Sequence, residues 1–135
     1  MSLPFDPARS QGLTLIRIVL ALLLFVHGAT RLGLGTVDDF GVFLEGRGIP
    51  LGVGVAWFVT LFELSAAPIL AWGRAVAPIA LVFATIYACG LWLVHWSQGW
   101  FVVGAGRGGM EYSVLILACL FGLAWAHRPR GTKSG

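Results

Sequence analysis

The stretch GVGVAWFVTLFELSAAPILAW, residues 52–72, decides the architecture. It is almost wholly apolar over 21 residues, enough for a helix to cross the ~30 Å of hydrocarbon in a bilayer. Near its middle stands Glu63, which no choice of helix ends brings to the membrane surface. Backbone groups in lipid must be satisfied within the segment, so a span of this kind is a helix. Three further stretches read the same way: residues 12–31, which contain IVLALLLFVHG, residues 75–96, and the shortest, residues 111–126. The first is not read as a cleaved leader, because no A-x-A-like site comes after its apolar core and Arg17 lies inside it.

Composition agrees. Of 135 residues, 58% are hydrophobic and 11% charged, with a mean hydropathy of +0.87. A soluble domain carries about 25% charged residues, so lipid has to face much of this chain. The expectation is an all-α protein, a bundle of four transmembrane helices in one domain over residues 12–126. A cytoplasmic segment, 1–11, precedes it, and a basic tail, 127–135, completes the chain. A net charge of +3, with no Lys/Arg run and no aromatic–basic interleaving, argues against a nucleic-acid partner. Cys89 and Cys119 lie in apolar segments outside any CxxC or zinc spacing. They read as small hydrophobes, with a disulfide or a reactive thiol as alternatives.

Gly73 and Arg74 alone separate the second and third spans, which implies an antiparallel hairpin. Residues 36–46 read as a short interfacial helix between the first two spans. Thr36 and Asp39 have capping-box spacing, Val37, Phe40, Phe43 and Leu44 form its apolar stripe, and Pro50 is expected to stop it. The glycine-rich loop 97–109 carries Trp100 and Phe101, which with Trp96 suit an interfacial aromatic belt. Arg9, Arg74, Arg128, Arg130 and Lys133 outnumber Arg31, Arg47 and Arg107 on the opposite side, which points to cytoplasmic termini in a cell (inner) membrane.

A charge at the bilayer centre costs about 2.5–3.5 kcal/mol even on the insertion scale, so polar residues within spans need a reason. Arg17, His27, Glu63, His95 and Glu111 are such residues. They are expected to converge, with His27, His95 and Glu111 at the outer level, Glu63 beneath and Arg17 deeper. Glu63 would be protonated, paired with Arg17 or a histidine, or open to a water-filled cavity. Pro68 frees the Leu64 carbonyl near it. The alternatives are plainer: a snorkelling Arg17, solvated His95 and Glu111, and a Glu63 that glues helices together.

At these residues the chain resembles the DoxX family of small four-helix membrane proteins. Arg17, then FVHGATRL at 25–32, FLEGRGIP at 43–50, FELSAAPILAWGR at 62–74, HWSQGWF at 95–101 and GGMEYSVLIL at 108–117 carry the likeness in their order and spacing. Arg17, His27, Gly28, Glu63, His95, Gly99, Glu111 and Tyr112 match the pattern, while Arg31 stands where lysine is common. The family takes its name from a subunit linked to a thiosulfate:quinone oxidoreductase, and other relatives accompany membrane complexes that handle thiol or oxidative stress. The resemblance therefore implies a redox-associated role.

In that reading a quinone or similar small molecule is bound, with His27, Glu63, His95 and Glu111 exchanging protons. Arg17, Trp92, Trp96, Trp100 and Tyr112 would contact the ligand. No flavin, haem c or iron–sulfur motif is present, so no cofactor is intrinsic and electrons would pass through a redox protein partner. Proton or solute transport by a homo-oligomer is one alternative, and a non-catalytic structural partner in a membrane complex is another. A metal site is the weakest: two His and two Glu could bind zinc or iron, but no helix has the Glu-x-x-His of di-iron bundles.

Overall fold

Helices form over the apolar runs, and tight turns end them. In a computed structural model that describes residues 7–129, and side chains from residue 10, the elements are α1 (Pro7–Gly33), α2 (Val37–Gly46), α3 (Gly52–Trp72), α4 (Val76–Gly90) and α5 (Glu111–Ala126). No strand occurs among the described residues. The expected segment 1–11 and tail 127–135 lie partly outside them, Arg130 and Lys133 included. Beyond α4 the chain stays helical through a wide turn, Leu91–His95, and a tight one, Trp96–Gln98. Three helical runs are long and apolar enough to cross a membrane: Ser10–Gly33, Gly52–Trp72 and Val76–Gln98, of 24, 21 and 23 residues. The 16 residues of α5 are equally apolar but reach only about 24 Å.

The chain divides into two compact units, Met1–Arg74 and Ala75–Gly135. In the first, α3 packs against both α1 and α2. Buried positions on α1, Leu20, Ala21, Leu24 and Gly28, recur at helical spacing, as do Ala56, Val59, Thr60, Glu63, Ala67 and Leu70 on α3. The other faces are apolar too: Leu15, Ile18, Val19, Leu22, Leu61 and Ile69 are all exposed. Water would oppose that arrangement and lipid favours it, which makes this a multi-pass membrane protein. In the second unit α4 packs against α5, with Val76, Ala80, Phe83 and Ala84 buried on one and Ser113, Leu120, Leu123 and Ala124 on the other.

Two local expectations for α2 are corrected. Thr36 is the N-cap, yet its hydroxyl makes no cap bond and instead donates to the Arg31 carbonyl at 3.3 Å, so no capping box with Asp39 forms. The helix also stops before Pro50. Gly48, at φ +87°, lets its own N–H and that of Ile49 fold back to the Glu45 and Leu44 carbonyls at 2.9 and 3.0 Å, a Schellman ending. The fold fixes α2 to α3 by a side-chain bond as well, from the Trp57 indole N–H to Asp38 at 2.9 Å.

Candidate functional site

Glu63 is 2% exposed on α3, and its carboxylate meets the Arg31 guanidinium at 3.0 Å. The same guanidinium nitrogen donates to the Thr60 hydroxyl at 2.8 Å, and that hydroxyl donates to the Ala56 carbonyl at 2.8 Å. The guanidinium carbon lies over the Phe40 ring of α2, 4.6 Å from its centre. One cation therefore ties α1, α2 and α3 together. Helical side chains lean toward the N-terminus, which lets Arg31, near the end of α1, reach back to the level of Gly28. Gly28 makes the approach possible: a Cβ there would sit 2.9 Å from the Glu63 Cβ and 3.0 Å from the Thr60 carbonyl oxygen.

Arg31 is the partner that sequence reasoning misses. Because it ends the first apolar run, it reads there only as a topogenic charge. The signal lies in the spacing Gly28–x–x–Arg31, which puts a small residue and a cation on one helix face. Arg17, one of the partners considered for Glu63 and expected deeper in the membrane, does not pair with it. Its guanidinium rests against Gly73, ten residues beyond Glu63 and so about 15 Å along α3. On α1, His27 is exposed and its Nδ1 donates to the Leu23 carbonyl at 2.9 Å.

In the second unit, the loop after Gln98 folds on itself. The N–H groups of Gly108, Gly109, Met110 and Glu111 bond to the carbonyls of Val102, Phe101, Gly99 and Trp100. Two of the candidate residues latch it. Glu111 accepts the Val102 N–H at 3.0 Å, and His95 Nδ1 donates to the Gly108 carbonyl at 2.7 Å. In a neutral imidazole that bond selects the tautomer with the proton on Nδ1 and the lone pair on Nε2. His95 closes the wide turn Leu91–His95, where the Trp96 N–H reaches the Leu91 carbonyl five residues back. The extra residue rotates the next segment by about 100° relative to a continuous α-helix. Trp92 and Trp96, both exposed, pair with ring centroids 5.3 Å apart and planes inclined at 38°. Trp100 and Tyr112 are exposed as well.

Among the described residues no three His, Cys, Asp or Glu side chains converge as a metal site would require. Cys89 and Cys119 are free thiols. An open recess of about 640 Å³ lies in the loop between Val102 and Arg107, lined by none of the candidate residues.

A model of the DoxX family matches residues 12–96, more than half of the chain. The chain belongs to the DoxX family. That span takes in Arg17, His27, Glu63, the Trp92–Trp96 pair and His95, and it includes Arg31 and Gly28, which join the two long helices of the first unit. No curated protein and no solved structure matches this DoxX chain.

The Gly28 contact yields a direct prediction. Gly28→Ala sets a methyl against the Thr60 carbonyl and the Glu63 side chain, so α1 and α3 must part. Thermal denaturation in mild detergent should show a loss of about 1–3 kcal/mol. An unchanged Tm would mean that the helices do not meet at this glycine.

Proposed function

We propose that this DoxX protein is a quinone- or small-molecule-binding subunit of a membrane oxidoreductase system. The observation that carries this reading is the wide turn that ends on His95, across which the exposed Trp92 and Trp96 pair. Turns of this kind recur at functional sites, because they break the helical register. The two indoles, with Trp100 from the adjoining loop, supply flat apolar walls suited to a quinone ring. With Nδ1 held by Gly108, His95 Nε2 accepts a hydrogen bond from a quinol hydroxyl and takes one of the quinol's two protons, the other passing to water, as two electrons leave to a redox partner. The chain itself supplies binding and a proton acceptor. Glu63, held by Arg31, serves packing rather than proton exchange.

In this reading α5 is the fourth span and α2 lies along the membrane surface, with both termini cytoplasmic in the inner membrane. Lipid is then a constant partner, and a redox protein the functional one. A homo-oligomer would suit the exposed apolar faces of the helices.

A second reading is favoured by a separate observation. Glu63, His95 and Glu111 each hold a neighbouring segment in place, as structural groups would. The protein would then stabilise a membrane complex without binding a ligand. Titration of the purified protein with a short-chain quinol, monitored by tryptophan fluorescence, separates the two. Quinol should quench the wild type in a saturable way, and His95→Ala with Trp92→Ala should weaken binding about tenfold or more. Equal quenching of wild type and double variant, or none in either, would favour the structural reading.

A further inference from the structure

The α1–α3 pair carries two inward-turned cations, and among the described residues only one of them meets a carboxylate. Arg31 is matched by Glu63. At the other end, Arg17 is half-buried, its Nε is fully buried, and that Nε has no hydrogen-bond partner among the described residues. No acidic residue lies on α1, and the single one on α3 is Glu63, already engaged. The acidic residues of α2, Asp38, Asp39 and Glu45, lie near the start of α3, where Asp38 bonds to Trp57 and the Glu45 side chain abuts Gly52.

The geometry around Arg17 says where its donors point. A Cβ on Gly73 would be 2.8, 2.9 and 3.0 Å from Nη1, Cζ and Nη2. Near-equal distances to the central carbon and both terminal nitrogens mean that the guanidinium lies face-on over Gly73. Its N–H groups lie in the plane of the fork and so run past the Gly73 Cβ position rather than at it. The Leu70 and Ile69 carbonyls are already taken by the N–H groups of Gly73 and Arg74, at 3.0 and 3.2 Å. Gly73 itself is at φ +88°, a conformation that closes α3 and leaves the bare Cα on which the guanidinium rests. The site is at the level where α3 leaves the apolar span. Trp72, 81% exposed, and the exposed Arg74 flank Gly73.

A buried guanidinium Nε without an acceptor is costly, and a planar fork is matched best by a phosphate or carboxylate. We propose that Arg17 binds a phosphate group at the Gly73 end of the hairpin, and that the phosphate belongs to an anionic phospholipid of the surrounding leaflet. Arg74, next along the chain, adds a second positive charge, and Trp72 lies at the headgroup level, as interfacial tryptophans do. This site is at the opposite end of the hairpin from Arg31.

The test uses the full chain in mixed micelles, with thermal unfolding as the readout. Phosphatidylglycerol should raise the Tm of the wild type by several degrees over phosphatidylcholine, and native mass spectrometry should show one retained anionic lipid. Arg17→Gln should lose both effects, and Gly73→Ala, whose methyl displaces the guanidinium, should weaken them. An equal response to both lipids in the wild type would overturn the proposal without recourse to a variant. So would an undiminished phosphatidylglycerol effect in Arg17→Gln. If millimolar inorganic phosphate in phosphatidylcholine micelles reproduces the full shift, the lipid assignment falls and a free anion takes its place.

Discussion

A carboxylate in the middle of a membrane span has to be answered by a cation, and here Arg31 answers Glu63. The rest of the first unit is arranged around that requirement. Gly28 is small so that α1 can come close enough, Thr60 occupies the guanidinium's remaining reach, and Phe40 of α2 covers its face. Between helices in lipid there is no hydrophobic force to draw them together, so close packing at small residues and polar contacts carry the association. The pair satisfies both at one level of the hairpin. Removing either partner leaves a charge in apolar surroundings, which is why such pairs are far costlier to break than to replace.

The second unit uses its polar groups differently. Glu111 and His95 act at the ends of a loop and hold its backbone rather than another helix. The bond to the Gly108 carbonyl ties His95, at the end of the wide turn, to the far end of the loop. The interruption of the helical register at Leu91–His95 follows directly on α4, where the exposed Trp92 and Trp96 pair.

Much of the fold is legible because hydropathy in lipid is a strong signal. The bounds of α3 and α5 coincide with the apolar runs at 52–72 and 111–126, and the short α2 starts one residue after its expected beginning. Side-chain partners are harder to read. The Thr36–Asp39 spacing suits a capping box, but the Thr36 hydroxyl finds the nearer carbonyl of Arg31, left at the end of α1. Pro50 has the character of a stop for α2, whereas Gly48 ends it earlier through its left-handed backbone. Arg17 and Glu63 invite pairing because both are charged and both lie within spans. Their separation comes from the antiparallel register of α1 and α3, which faces Gly28 toward Glu63 and Arg17 toward Gly73. Such a register cannot be read from either helix alone.

The central claim is that Arg31 and Glu63 form one interaction that locks α1 to α3. A double-mutant cycle on Arg31→Met and Glu63→Leu, measured by reversible unfolding in mild detergent, tests it most directly. Each single variant should lose stability, and the double variant should lose clearly less than the sum, with a coupling of about 1–3 kcal/mol. Strictly additive losses would contradict the account, since they would mean that the two side chains act independently.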